Sequence, residues 1–89
     1  MAKKRIKPDP EHYFSLCTGA LVRDLRELAF ALDHISDDEF SHHVNDEKND
    51  FSIWARDIFG ELKLADKLEE TKKRDDTQMI LLKHLVGKR

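Results

Sequence analysis

Apolar and polar positions alternate at helical spacing over most of this chain. Leu21, Leu25, Leu28, Ala29 and Leu32 recur four, three, one and three residues apart, on one face of a helix. Arg23, Asp24, Arg26, Glu27 and Asp33 fall mainly on the other face. Phe51, Trp54, Ala55 and Ile58 repeat at three, one and three, and Gly60 follows where a left-handed residue stops a helix. Leu62, Leu64, Ala65 and Leu68 predict another short helix. Met79, Ile80, Leu82, Leu85 and Val86 predict the apolar residues of a last one, with Gly87 after it.

Start signals agree with this pattern. Asp9-Pro10-Glu11 reads as a helix start, because Asp caps, Pro suits the first helical position and Glu favours the first turn. The stretch after it, residues 12–17, fits either a helical turn or an extended lead-in. Ser36-Asp37-Asp38-Glu39 is a capping box, and Ile35 and Phe40 stand where a hydrophobic staple places them. The helix it opens is predicted over 37–44, with Asn45 as a left-handed terminator. Asn49 or Asp50 caps the next helix, and Asp75 or Asp76 the last. The fold expected is all-α, a compact bundle of about five short helices joined by short connections. Residues 9–89 form its single domain and residues 1–8 a flexible basic arm.

Composition supports that class. The chain has 89 residues, is 39% apolar and 38% charged, and holds only three Gly and two Pro, too few breakers for a β-sandwich. One cysteine, Cys17, excludes an internal disulfide framework, and it reads as a small core hydrophobe. No apolar run approaches the roughly 20 residues of a membrane span, and no apolar h-region follows the basic start. A cytoplasmic location without membrane contact is the expectation.

The net charge of −2 selects no partner, but its distribution is uneven. Lys3, Lys4, Arg5 and Lys7 make one end basic, whereas Asp33, Asp37, Asp38, Glu39, Asp46, Glu47 and Asp50 make the middle acidic. The basic residues offer an alternative role, nucleic-acid association through an N-terminal arm. A helix-turn-helix formed by 37–44 and 51–59 is disfavoured, because its second helix carries Arg56 as its only cation and an acidic turn precedes it.

Candidate chemistry is sparse. His42 and His43 are adjacent, so on one helix they point about 100° apart and do not converge on a metal. Glu39 and His43 share a face, and Asp46 or Asp50 lies close in sequence, but neither HExxH nor paired CxxC spacing is present. The expectation is therefore no metal site and no cofactor, with one histidine half-buried and the other facing water. Metal-dependent activity centred on His43 is the sharper alternative. The glycines are isolated, so no phosphate cradle or oxyanion loop is visible, and the chain is not expected to be an enzyme. Phe40, Phe51, Trp54 and Phe59 form an aromatic group at helical spacing, which reads as core.

The densest pattern is His43-Val44-Asn45-Asp46-Glu47-Lys48-Asn49-Asp50-Phe51-Ser52-Ile53-Trp54, followed by Gly60 and Leu64-Ala65. This block resembles an uncharacterised prokaryotic and archaeal helical domain family with a His-Val-x-x-x-Lys-Asn-Asp-Phe-x-x-Trp core. Phe14, Gly19, Leu25, Leu28, Ser36 and Phe40 fit the same layout, so the likeness spans roughly residues 12–85. It implies a fold and no activity. Read physically, Asn49 and Asp50 cap, Phe51 and Trp54 anchor, and His43 ends the preceding helix, where its protonated form suits the dipole. Lys48 is placed to pair with Asp46 or Glu47. The functional reading makes His42, His43, Lys48, Asn49 and Asp50 a polar edge that binds a protein partner. A small cytosolic interaction or regulatory module is the leading expectation for the whole chain.

Overall fold

Helix boundaries follow side-chain caps. This is seen in a computed structural model that describes residues 9–87. The predicted basic arm, with Lys3, Lys4, Arg5 and Lys7, lies outside the described residues. Pro10–His12 forms a single 3-10 turn, and β1 (Phe14–Ser15) and β2 (Leu21–Val22) form an antiparallel hairpin with Phe14 opposite Val22. Five helices follow: α1 (Leu25–Ala31), α2 (Asp37–His43), α3 (Asp50–Phe59), α4 (Leu62–Leu68) and α5 (Arg74–Gly87).

The hairpin corrects the all-α expectation: the molecule is mostly helical rather than purely so. Its cause is the cap of α1. Asp24 accepts the Glu27 amide at 2.8 Å, and the Glu27 carboxylate returns to the Arg23 amide at 2.9 Å. The Asp24 cap starts the helix at Leu25 and leaves Leu21 outside it, so Leu21 is 62% exposed rather than core. Leu21 and Val22 then satisfy backbone groups of residues 14–15, and Gly19 closes the turn at φ 97°.

The α2 capping box and the Gly60 stop act as read. Ser36 and Glu39 exchange both bonds of the capping box, with Ile35 and Phe40 buried beside it. Asn49, not Asp50, is the N-cap of α3, accepting the Ser52 amide at 2.9 Å. Gly60 ends α3 at φ 66°. Asn45 does not take a left-handed conformation; among the described residues only Gly19 and Gly60 have positive φ. It ends α2 through its side chain, donating to the Ser41 carbonyl and accepting the Glu47 amide.

The core is one cluster running from Leu16 and Val22 through Leu28, Leu32, Phe40, Phe51, Trp54, Ala55, Leu64, Ala65 and Leu68 to Leu81. α3 packs on α4, and α5 packs on both α1 and α4. The inner side of α5 differs from its prediction. Leu81 and Thr77 are fully buried, whereas Met79, Leu82 and Val86 are exposed, and Asp75 and Asp76 lie in the first turn rather than at the cap. Arg74 and Gln78 hold α5 in this rotation. Arg74 donates to the Leu32 carbonyl at 2.9 Å and Gln78 to the Ala29 carbonyl at 2.8 Å. They satisfy carbonyls that α1 leaves open at its C-terminal end.

Candidate functional site

The α2–α3 corner gathers four of the five residues expected to form a polar edge and bonds them within the fold, with Lys48 still exposed. Val44 and Asn49 form a single β-bridge, and the Asn45 amide donates to the Lys48 carbonyl, so residues 45–48 close a tight loop. The loop sets His43, on the last turn of α2, against Asp50, on the first turn of α3. His43 Nδ1 lies 3.0 Å from Asp50 Oδ2, and Lys48 Nζ reaches the same oxygen at 3.0 Å. Lys48 thus pairs with Asp50 rather than with Asp46 or Glu47.

The other ring nitrogen of His43 defines its state. The Cys17 backbone N–H donates to His43 Nε2 at 3.0 Å. An amide can only donate, so Nε2 carries the lone pair and the proton sits on Nδ1, donated to Asp50. The ring is 5% exposed and is flanked by the rings of Phe14 and Phe51 at 5.1 and 5.4 Å. The expected half-buried histidine is therefore a buried clamp that ties the hairpin turn to the corner. A metal at Nε2 would have to displace the Cys17 amide.

Asn49 and Ser52 bind the far side of the corner. Asn49 Nδ2 donates to the Leu68 carbonyl at 3.0 Å, and the buried Ser52 hydroxyl donates to Glu69 at 2.8 Å. The Ser52 hydroxyl and the Arg56 guanidinium hold the Glu69 carboxyl below its ordinary range. Trp54 Nε1 donates to the His12 carbonyl at 2.9 Å, which lays the N-terminal segment across α3. Among the described residues of this set, His42 is exposed and makes no hydrogen bond, and its ring lies edge-on to that of His43 at 5.5 Å.

Cys17, His43 and Asp50 meet in the order of a nucleophile, a base and its orienting carboxylate, but the bonding differs from that use. The lone pair a base needs is occupied by the Cys17 amide, and the thiol contacts the Glu39 carbonyl at 3.7 Å. Cys17 is exposed, which corrects its reading as a core residue; the turn at residues 17–18 places its amide, not its side chain, toward the interior. Among the described residues, Asp9, Glu11 and His12 bring three metal-ligating side chains within 4.8 Å of one another, all exposed at the 3-10 turn and the residue that precedes it. No such set was expected, although the run Asp-Pro-Glu-His carries it in plain sequence.

A second surface has the opposite character. An open groove of about 440 Å³ lies between the hairpin and α1, with Leu16, Val22, Ala31 and Ile35 among its lining. Leu21 stands on one side, 62% exposed, and Phe30 on the other, 69% exposed, with the His34 ring edge-on to Phe30 at 5.2 Å. Glu27 and Glu39 supply its acidic groups. Arg23 donates to Glu27 from its guanidinium and its backbone, which keeps the Glu27 carboxyl below its ordinary range. Sequence periodicity overlooked this surface. Its visible signal is Phe30, an aromatic off the apolar face of its helix. Compared with known proteins, the chain matches no protein-family model, no curated protein sequence and no solved structure.

Proposed function

We propose that this chain is a small protein-interaction module that docks its partner in the groove between the hairpin and α1. The observation that carries the reading is the pair Leu21 and Phe30, two large apolar side chains held in water on either side of one concave apolar surface. A bulky apolar group in water gains free energy when covered, and a contiguous patch of this kind marks an interaction site more often than scattered exposed residues do. The polar corner supports the reading indirectly. Its His43, Asn49 and Asp50 are bonded within the fold, so recognition falls to the surface where side chains are left over.

The test compares affinity capture by the unaltered chain with capture by Phe30→Ser and Leu21→Ser. Both positions are exposed, so both variants should melt with the parent. A protein retained by the parent and lost from both folded variants is the expected result. Identical retention by all three, or retention of nothing, would exclude the groove as the docking surface.

A further inference from the structure

Both nitrogens of the buried His43 ring are in use, and each bond needs a different role. Nε2 accepts the Cys17 amide at 3.0 Å, and Nδ1 donates to Asp50 Oδ2 at 3.0 Å. A ring with a proton on each nitrogen has two donors and no acceptor. A second proton on Nε2 therefore meets the Cys17 N–H, donor against donor, and both groups lose their partner where water has little access. Two charges on one side of the ring act in opposite senses. The Asp50 carboxylate attracts a charged ring, and the Lys48 ammonium, 3.0 Å from the same Oδ2, repels it. The other titratable groups around the ring are His42, beside it on α2, and the Cys17 thiol on the turn, which contacts the Glu39 carbonyl. Phe14 and Phe51 flank it with apolar rings.

The turn is the part that can yield. Residues 16–20 close on themselves, with the Leu16 amide donating to the Ala20 carbonyl and the Gly19 amide to the Leu16 carbonyl. Among the described residues, the hydrogen bonds that join this turn to the helices come from Cys17, its amide to His43 and its thiol to Glu39. Leu16, Thr18, Ala20, Leu21 and Val22, around Cys17, form the hairpin wall of the groove. From this geometry we infer that His43 is a proton-operated latch: uptake of a second proton releases the Cys17 amide and frees the turn, and with it the hairpin wall of the groove, while the helices stay packed. Its effect on docking rests on the groove reading above; the latch itself is a property of the free chain.

NMR on the isotope-labelled chain, without any partner, tests the latch between about pH 8 and about pH 5, the range in which histidine side chains ordinarily change charge. The His43 ring signals should titrate, and the Cys17 amide should lose exchange protection with them. After correction for the chemical exchange rate, one linked proton gives up to roughly tenfold per pH unit. The Leu28 and Ala65 amides, bonded to the Asp24 and Glu61 carbonyls, should keep their protection. Lys48→Met removes the repelling cation and moves the transition to higher pH; Asp50→Asn removes the attracting carboxylate and moves it to lower pH. His43→Gln offers Cys17 an amide oxygen and takes no proton, so protection should then be level with pH. If that variant does not fold, the opposed shifts of the other two carry the test. Four results would each overturn the proposal: a ring that keeps one proton across the range, Cys17 protection unchanged while the ring titrates, protection lost from Leu28 and Ala65 together with Cys17, or shifts of the same sign in Lys48→Met and Asp50→Asn. Failure of the groove as a docking surface leaves all of these measurements unchanged.

Discussion

The α2–α3 corner and helix α5 handle polar groups in opposite ways. At the corner, polar side chains are paired in sequence: Asn49 with the Ser52 amide and the Leu68 carbonyl, Asp50 with His43 and Lys48, Ser52 with Glu69. On α5, polar residues face inward while three apolar ones face water, and the buried Thr77 hydroxyl has no hydrogen-bond partner among the described residues. The corner is an internally satisfied unit, whereas α5 keeps an unused apolar side. The difference shows that a dense polar motif can be consumed by folding while exposed apolar side chains lie where the sequence looks ordinary.

Substitutions can break this contrast. The largest effect should come from His43→Ala, which removes the partner of the Cys17 amide and of Asp50 and opens space beside Phe14 and Phe51. A loss of about 3 kcal/mol is expected in denaturant unfolding. Asn49→Ala comes next, since it removes both a cap and a bond to α4; about 2 kcal/mol should be lost in the same assay. On α5 the sign reverses. Thr77→Val keeps the shape and removes an unpaired buried hydroxyl, so stability should rise by about 1 kcal/mol. A loss there would mean the hydroxyl has a partner.

The smallest effect is one of pH. Glu69 and Glu27 have carboxyls lowered by Ser52 with Arg56 and by Arg23. A folded-state value below the unfolded one gives stability that is present above the ordinary carboxylate range and lost as pH falls through the lowered value. Both groups are solvent-accessible, so the contribution is small and salt-sensitive. In urea titrations the gap between the parent and Glu69→Gln should narrow on acidification below the ordinary range. A gap constant with pH would remove the ion pair with Arg56 and the Ser52 bond as its source.

What the sequence determined by itself is mainly local. The Ser36–Glu39 box, a cap at Asn49 or Asp50, the Gly60 stop and the burial of Phe51, Trp54 and Phe40 depend on groups within a turn or two of each other, so spacing alone exposes them. The Asp24 cap was equally local but was hidden inside a longer apolar repeat that ran back to Leu21. The tertiary structure alone decided the rest. The Cys17 amide meets His43 across 26 residues, and the His12 carbonyl meets Trp54 across 42. Which side of α5 faces inward was open because Ile80, Leu81 and Leu82 offer apolar residues in three directions. Arg74 and Gln78 settled the choice by reaching open carbonyls on a helix 42 and 49 residues away in sequence. Periodicity reports how apolar a face is, but the open backbone groups of a distant helix enter only once the chain has folded back upon itself.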